Sequence, residues 1–237
     1  MTPDVVALLG EAPLAVHGRI ANASNHTTLV QVGEPDLGVL AVYKPMAGER
    51  PLWDFPTGTL HRREVAAFLI SDFLGWHLVP PTLRRDGPFG VGSLQLFVPH
   101  DPGEHYFVLV ESDAYDEQLA RMAMFDLLVN NADRKAGHVL LDDEGHIWGC
   151  DHGLTFHPQP KLRTVIWEFA GMPLPQPWRD DVGRLGGALD GELGASLAGL
   201  LSPREVAVLG RRAAALCDLP ALPTVAEEYR PYPWPPL

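Results

Sequence analysis

The chain has 237 residues, and its 18 Lys and Arg against 30 Asp and Glu give a formal net charge of −12 at pH 7. This balance argues against proteins that bind nucleic acid or an anionic membrane, because those proteins use cations to neutralise phosphates. The length suits one domain or two tightly packed lobes, and 46% hydrophobic with 20% charged residues indicates a folded protein.

The first half of the chain contains a predicted β-hairpin. Residues 27–32 and 38–44 are β-rich runs, and turn-forming residues at 33–36 separate them. Two such runs around a short turn are typical of antiparallel strands. The second strand is predicted to end at Lys44, one of only three lysines among 18 cationic residues. Because arginine dominates, a lysine here hints at a position that needs a compact point charge.

A helix and a further strand complete the first half. From about Leu60 to Trp76 the apolar residues recur with helical spacing, and Glu64 falls in or near the first turn. Residues 92–98 form a strand-like run that Pro99 stops, and polar residues follow it. We therefore place a lobe boundary after residue 98.

The second half is predicted to contain one helix followed by a second hairpin. The helix covers residues 116–129, and Asn130 ends it. After a loop come two short strands, at 138–141 and 146–150, which the turn residues 142–145 join. The second hairpin therefore follows this helix after one loop.

A last helix is predicted near the C-terminus, where Ser202, Pro203 and Glu205 have the spacing of a capping box with a first-turn proline. The segment from Pro220 onward holds six prolines and reads as an extended tail. Because helices and strands are segregated along the chain, the sequence favours an α+β fold over a doubly wound one. The predicted parts are a sheet-rich N-lobe with one helix over 1–98, a mostly helical C-lobe over 99–219, and a Pro-rich tail over 220–237.

Two aspartates converge on one end of the second hairpin. Asp133 lies five residues before His138, and Asp151 directly follows the second strand with His152 beside it. Taken singly, each aspartate is also typical of a loop, where it caps a turn. Two carboxylates this close would repel unless a cation lay between them, and Mg²⁺ accepts one or two carboxylates together with water and substrate phosphates. The pair therefore indicates a metal site.

Five segments in order resemble the phosphatidylinositol 3-/4-kinase-like branch of the protein-kinase-like superfamily. The resemblance is greatest to the type II phosphatidylinositol 4-kinases, and it extends to an actinobacterial set of kinase-like proteins. It implies a two-lobed protein-kinase-like fold and an ATP- and divalent-metal-dependent phosphotransferase. The segments are VYKP at 42–45, REVAAFLISDFLGWHLVPPT at 63–82, GSLQLFV at 92–98, FDLLVNNADR at 125–134 and CDHGLTF at 150–156.

The resemblance also implies roles for individual residues. Lys44 would hold the α- and β-phosphates of ATP, and Glu64 would pair with it. Asp133 would accept the proton of the incoming hydroxyl, so that Asp133 and Lys44 form the catalytic set. Asp151 would bind the metal, Mg²⁺ or Mn²⁺, with His138 as the second candidate ligand. The residues predicted to bind the nucleotide are Ser24, Lys44, Glu64, Gln95, Leu96, Phe97 and Val98, the last four as the hinge against which adenine stacks.

Three features depart from the kinase pattern. His138 stands where the pattern has asparagine, and an imidazole suits Mn²⁺, Zn²⁺ or Fe better than Mg²⁺. No glycine-rich motif occurs near residues 18–30, so the polar segment 21–26 with Ser24 is the remaining candidate to contact phosphates. The segment 48–56 has no cysteine for palmitoylation where type II lipid kinases carry a cysteine-rich stretch.

The predicted acceptor is a hydroxyl of a protein or a soluble small molecule, because the acidic chain has neither a lipid anchor nor a basic cluster. Cys150 and Cys217 are too few for a disulfide framework, which favours a reducing compartment. The first basic residue is Arg19, unlike the start of a secretory signal, and no apolar run approaches the ~18 residues of a membrane span. We therefore expect a cytoplasmic protein.

Other interpretations stay open at this point. His138 is the reason to consider a pseudokinase that binds nucleotide and has a regulatory role, and a phosphoinositide kinase is a further alternative. A metal-dependent hydrolase would use His138, Asp151 and His152 as ligands, although Lys44 would then be a coincidence. Glu64 is equally typical of a solvated first-turn carboxylate that the helix dipole stabilises.

Overall fold

The computed structural model describes residues 3–20, 26–224 and 231–237. Its helices are α1 (Pro3–Glu11), α2 (Leu60–Phe73), α3 (Tyr106–Leu109), α4 (Asp116–Val129), α5 (Gln176–Ala188), α6 (Glu192–Ala198) and α7 (Pro203–Asp218). Its strands are β1 (Leu14–Arg19), β2 (Thr28–Val32), β3 (Val39–Pro45), β4 (Thr82–Gly87), β5 (Gly90–Leu96), β6 (Val139–Leu141) and β7 (Ile147–Gly149).

The first half is built on a five-stranded antiparallel sheet with the strand order β1-β2-β3-β5-β4. The predicted hairpin is confirmed as β2 and β3, with Thr28 opposite Tyr43. Ala41 and Tyr43 of β3 are buried in a small apolar cluster that includes Leu9 of α1. Because successive side chains of a strand alternate between faces, Val42 and Lys44 project from the opposite face of the sheet.

Helix α2 joins the sheet to the second half. Ala66, Phe68 and Ile70 belong to the large apolar core that also contains Phe125 and Leu128 of α4. The helix also contacts β4 and β5. The predicted N-lobe helix therefore packs against both halves of the chain, and the division after residue 98 stays a proposal.

The second half matches the predicted pattern of helix and hairpin. Helix α4 ends at Asn130, which adopts the left-handed conformation (φ 53°). The side-chain amide of Asn130 donates hydrogen bonds to the carbonyls of His157 and Gln159. Strands β6 and β7 form the predicted second hairpin, in which Val139 pairs with Gly149. The capping box at the start of α7 is confirmed, with Ser202 as the N-cap.

The C-terminal segment, residues 231–237, lies along the second half. The backbone N–H of Thr164 donates to the carbonyl of Pro231 at 2.9 Å, and the N–H of Ala136 donates to the carbonyl of Pro236 at 2.8 Å. These bonds bring the segment beside the loop that contains Asp133. Among the described residues, no helix combines the length and the apolar character that a membrane crossing requires.

Candidate active site

A partly buried ion cluster joins β3, α2 and the turn after β7. The Nζ atom of Lys44 contacts Glu64 Oε1, and it lies 3.0 Å from Asp151 Oδ1. The second carboxylate oxygen of Glu64 accepts the backbone N–H of His152 at 2.9 Å. Glu64 is therefore not the solvated surface carboxylate that the sequence left open, because it is only 2% exposed and has two partners.

The charges in this cluster shift one another's pKa values. Burial alone would lower the pKa of Lys44, but the carboxylates of Asp151 and Glu64 outweigh burial and raise it. The Lys44 ammonium in turn lowers the pKa of Asp151 far below its usual range. Burial raises the pKa of Glu64, whereas Lys44 and the N–H of His152 act in the opposite direction. Lys44 and Asp151 therefore carry their charges at neutral pH.

Asp151 lies two residues after β7, in a backbone conformation that few residues adopt. Its φ of 57° lies in the left-handed region, which aspartate tolerates better than most residues. Its side chain is 48% exposed, although one carboxylate oxygen contacts Lys44. Residues held in such conformations cluster at functional sites. The turn thus presents a charged carboxylate to solvent in a fixed direction.

Asp133 lies in the loop between α4 and β6. Its backbone N–H donates to Asn131 Oδ1 at 3.0 Å, and Lys135 Nζ lies 3.7 Å from its Oδ2 atom. Burial and the charge of Asp151 raise the pKa of Asp133 to about 6, against the opposing effect of Lys135. A carboxylate with a pKa near the working pH is well suited to accept a proton.

Arg134 fixes the Asp133 loop to the second hairpin. This buried guanidinium makes a bidentate pair with Asp126 of α4, at 3.0 Å for both Nε–Oδ2 and Nη2–Oδ1. Its Nη1 atom donates to the carbonyls of His138 and Cys150, at 3.2 and 2.9 Å. Because Cys150 immediately precedes Asp151, one side chain sets the spacing of the two aspartate-bearing loops.

His152 belongs to the same buried network. Its Nε2 atom lies 2.6 Å from Arg134 Nη2, so the imidazole accepts a hydrogen bond from the guanidinium. Burial, followed by the charge of Arg134, lowers the pKa of His152 well below its usual value. The ring nitrogen that would bind a metal is thus already engaged. The hydrolase interpretation, which needs His152 as a ligand, is therefore not supported.

His138 lies beside Asp151. Its Nε2 atom is 3.4 Å from Asp151 Oδ2, and its Nδ1 atom is 3.0 Å from the carbonyl of Asp133. Burial lowers the pKa of His138 to about 4, so the ring is neutral at pH 7. A proton on Nδ1 satisfies the Asp133 carbonyl and turns the Nε2 lone pair towards Asp151. His138 Nε2 and Asp151 Oδ2 are therefore two neighbouring atoms to which a metal cation could bind.

Metal binding at this pair would require further ligands. In residues 3–20, 26–224 and 231–237, no group of three or more His, Cys, Asp and Glu side chains could hold a metal ion. Asp151 and His138 alone leave most of a coordination shell to water and to substrate phosphates. A shell completed by water and phosphates is usual for Mg²⁺, whereas the imidazole of His138 suits Mn²⁺ better.

A cavity of about 390 Å³ lies beside the predicted hinge, and we call it the hinge cavity. The predicted residues Gln95, Leu96, Phe97 and Val98 line it together with Lys44. Its other lining residues are Ile20, Thr27, Val42, Pro80, His100, Gly137, His138, Leu140, Cys150 and Asp151. The aliphatic members give this cavity the apolar walls that a nucleobase requires.

A second cavity, of about 310 Å³, contains the loop residues Asp133 and Lys135, and we call it the catalytic-loop cavity. Trp234 of the C-terminal segment also lines it, as do Glu49 and Arg50. The rest of its lining is Lys44, Pro45, Leu52, Leu60, His61, Glu64, Asp151, Gly153 and Leu154. Lys44 and Asp151 line both cavities, so the two cavities meet at the partly buried ion cluster.

Several polar groups of the predicted hinge already form hydrogen bonds within the protein. The N–H groups of Leu96 and Phe97 donate to the carbonyls of Pro81 and Leu40, and the Gln95 amide donates to Thr82. A base would therefore meet the side-chain surface of this segment and the backbone near Val98. Ser24, the other predicted nucleotide contact, lies outside the described residues.

Sequence reasoning missed several residues of the site. Val42 lies two positions before Lys44 on the same face of β3, and Leu140 lies two positions after His138 on β6. Strand alternation from the predicted residues would have found both. No sequence pattern indicated Asp126, because only the fold shows that this helix residue pairs with Arg134.

Arg63 links α2 to the second half through a hydrogen bond and an ion pair. This side chain is 1% exposed, and its Nη1 atom donates to the carbonyl of Thr155 at 2.6 Å. Its Nη2 atom lies 2.5 Å from Glu205 Oε1 at the start of α7. Because Arg63 precedes Glu64, this bond holds the helix in the position where Glu64 meets Lys44.

We expect Arg63→Met to lower the free energy of unfolding by about 3–5 kcal/mol, because it leaves Glu205 without its buried partner. Urea denaturation measures the change. Arg204→Met is the matched control, since Arg204 is exposed one residue before Glu205, and we expect its effect to stay within about 0.5 kcal/mol. Equal losses in the two variants would contradict the assigned role of Arg63.

One family model and one relative match this chain. The family model for phosphatidylinositol 3- and 4-kinases matches residues 71–180, which include Asp133, His138 and Asp151. Protein Rv2133c of Mycobacterium tuberculosis (strain ATCC 25618 / H37Rv) is 42% identical in an alignment 268 residues long, gaps included, that covers 98% of this chain and 95% of that protein. The matched family segment begins after Lys44 and Glu64, so the case for these two residues rests on their geometry.

One solved structure shows the same fold, and a second is similar at a lower score. The structure of hydra Fam20 with sugar is 16% identical and aligns with a TM-score of 0.57 over 90% of this chain and 86% of that chain. The Helicobacter pylori proinflammatory kinase CtkA is 14% identical, with a TM-score of 0.47 over 88% of this chain and 98% of that chain. The predicted α+β, kinase-like fold is confirmed by the first of these matches.

Proposed function

Because the chain belongs to the phosphatidylinositol 3-/4-kinase-like family, we propose that it is an atypical kinase that depends on ATP and a divalent metal. It transfers the γ-phosphoryl group of ATP to a hydroxyl of a protein or a soluble small molecule. The family and the fold support a phosphotransferase in general, and the site supports the assignment of individual residues.

One observation carries this proposal: the hinge cavity and the catalytic-loop cavity meet at the cluster of Lys44, Glu64 and Asp151. A nucleotide whose base occupies the hinge cavity would place its phosphates at Lys44. The terminal phosphoryl group would then enter the cavity that Asp133 lines. A lysine that binds the phosphates and a carboxylate that can accept the hydroxyl proton are two of the groups that kinases use for phosphoryl transfer.

The transfer step uses this chain's residues as follows. Lys44 binds the α- and β-phosphates, and Glu64 holds the ammonium in place. Asp133 orients the acceptor hydroxyl and takes its proton as the hydroxyl oxygen bonds to the γ-phosphorus. The bond from the γ-phosphorus to the β,γ-bridging oxygen breaks, and ADP leaves with that electron pair. The proton on Asp133 then returns to water.

Asp151 and His138 would hold the divalent metal. Mg²⁺ or Mn²⁺ bound there would offset the negative charge of the phosphates during the transfer. Asp151 suits this role because it stays ionised and half-exposed. His138 suits it because burial keeps its imidazole neutral and therefore able to donate a lone pair.

Incubation with radiolabelled ATP, Mg²⁺ or Mn²⁺ and cell extract tests this function. We expect a labelled product with at least one metal and none when a chelator is present. ATP binding without labelled product under either metal would favour a nucleotide-binding pseudokinase with a regulatory role. Product only on phosphoinositide vesicles would favour the lipid-kinase alternative, and absence of ATP binding would contradict every kinase interpretation.

The pH dependence of the reaction follows from Asp133. Its pKa is raised to about 6, and only the ionised form accepts a proton, so kcat/KM for ATP should rise with pH around this midpoint. Lys135→Gln should move the midpoint to higher pH, because the Lys135 ammonium lowers the pKa of Asp133. Initial rates across the acidic and neutral range measure both curves. A midpoint that moves down in Lys135→Gln would contradict the assignment.

A further inference from the structure

We propose that the phosphoacceptor is a small hydroxyl compound with an aromatic or aliphatic group, which binds in the catalytic-loop cavity against the ring of Trp234. This inference rests on the proposed kinase function and narrows it to one class of acceptor. It also makes Trp234 a residue that determines acceptor specificity.

Several charged groups of the cavity are already engaged within the protein. The Lys44 ammonium contacts Glu64 and lies 3.0 Å from Asp151 Oδ1. Glu49 accepts the backbone N–H of His61 at 2.8 Å, and its Oε1 atom lies 2.7 Å from the ring Nδ1 atom of His61. An acceptor that replaced one of these partners would exchange one hydrogen bond for another and gain little free energy.

The two other cations of the lining, Lys135 and Arg50, are not free either. Lys135 Nζ lies 3.7 Å from Asp133 Oδ2, and Arg50 has an interaction of its own. The lining also holds four carboxylates, those of Glu49, Glu64, Asp133 and Asp151. Because its cations are engaged and do not outnumber its carboxylates, the cavity has no free charge that would select an anionic acceptor.

The surface that the cavity leaves uncovered is apolar. The Trp234 side chain is 80% exposed and Leu52 is 37% exposed, and both residues line the cavity. Pro45, Leu60 and Leu154 add further apolar walls. An acceptor that covers this surface removes apolar area from water, which stabilises the complex without any free charge. The large indole ring supplies most of the area for such a contact.

Backbone hydrogen bonds hold the Trp234 ring at the cavity. Pro236 accepts the N–H of Ala136, which lies in the loop between α4 and β6, at 2.8 Å. Pro231 accepts the N–H of Thr164 at 2.9 Å. These two bonds lie on either side of Trp234 in the chain. The ring therefore stands beside the loop of the proton acceptor, where a bound acceptor compound would cover part of it.

The cavity has the size of a small-molecule site. Its volume of about 310 Å³ is at the lower end of the roughly 300–1,000 Å³ typical of ligand pockets, and the γ-phosphoryl group would occupy part of it. Its walls come from separate parts of the chain: the end of β3, the segment 49–52, the start of α2, the two aspartate loops and Trp234. Walls on so many sides suit a compact acceptor better than a folded protein surface.

The first experiment identifies the acceptor class with the full chain. A cell extract freed of membranes is separated into proteins and small molecules, and the small molecules are divided on a reversed-phase resin into retained, apolar compounds and unretained, polar compounds. Each fraction, and phosphatidylinositol vesicles as the lipid source, receives the protein with radiolabelled ATP and metal. We expect most of the labelled product from the retained small molecules.

The outcomes separate the two levels of the proposal. Most of the product from the protein fraction, from the vesicles or from the unretained compounds would overturn the inference and leave the kinase function standing. Absence of product from every fraction would overturn both.

The second experiment tests Trp234 with the retained fraction as the acceptor. In Trp234→Ala we expect KM for this fraction to rise about three- to tenfold, with the KM for ATP unchanged, because an aromatic contact to the acceptor is lost. Trp234→Phe should keep KM within about twofold of the wild type, because it retains an aromatic ring. Trp53→Ala is the matched control, since Trp53 is 92% exposed and does not line the cavity.

Thermal melting checks that the three variants are folded. An unchanged KM for the acceptor in Trp234→Ala, an equal rise in Trp53→Ala or an equal rise in the KM for ATP would overturn the role of Trp234. A Trp234→Phe protein as impaired as Trp234→Ala would overturn the apolar, aromatic nature of the contact.

Discussion

Replacement of Asp133 by asparagine should lower kcat by about 10²–10⁴-fold and leave the affinity for ATP unchanged. Asparagine has nearly the same shape as aspartate but cannot accept a proton from the acceptor hydroxyl. Asp133 does not line the hinge cavity, so its replacement should leave the site of the base and the contact of Lys44 with the phosphates intact. Steady-state rates with labelled ATP and a calorimetric titration of the nucleotide measure the two quantities.

The matched control for this variant is Asp143→Asn. Asp143 is an exposed aspartate in the turn between β6 and β7, so the same change of charge occurs away from both cavities. We expect wild-type kcat for the control. If Asp133→Asn kept more than about a tenth of the wild-type kcat, Asp133 would not be the proton acceptor.

Replacement of Lys44 by methionine should lower kcat/KM for ATP by about 10²–10³-fold, the usual result of removing one preorganised charge from a transition state. Methionine fills a similar volume but has no charge. Its presence would remove the cation at the junction of the two cavities and leave Glu64 and Asp151 facing each other. Initial rates at subsaturating ATP measure the loss.

Arg211→Met is the matched control for Lys44→Met. Arg211 is an exposed cation on α7, far along the chain from the site residues, and we expect its kcat/KM to equal that of the wild type. Melting curves of both variants separate a catalytic loss from unfolding. A folded Lys44→Met protein with near wild-type kcat/KM would show that Lys44 does not hold the phosphates.

The sequence predicted the elements that carry strong local signals. Helix α4 has clear helical spacing and an asparagine at its end, and the second hairpin has a four-residue turn of acidic residues and glycine. The end of β3 at Lys44 followed from β-rich residues and a turn. Helix α5 was missed because its proline and glycine residues hide the helical pattern, although Trp178 and Val182 are buried in the core.

The meeting of Lys44, Glu64 and Asp151 was implied by a family resemblance and not by local pattern, because these residues are distant in the chain. Their contacts depend on how α2 packs against the second half, which Arg63 and Glu205 determine. The C-terminal segment was predicted only as an extended tail. Its place beside Asp133 depends on single backbone hydrogen bonds, such as that from Ala136, which no sequence pattern reveals.

A crystal structure with a non-hydrolysable ATP analogue and Mg²⁺ would test the central claim most directly. The expected result has the base in the hinge cavity near Val42 and Leu140, the phosphates at Lys44, and the terminal phosphoryl group in the catalytic-loop cavity facing Asp133. A nucleotide bound elsewhere, or one whose phosphates point away from Lys44, would contradict the claim.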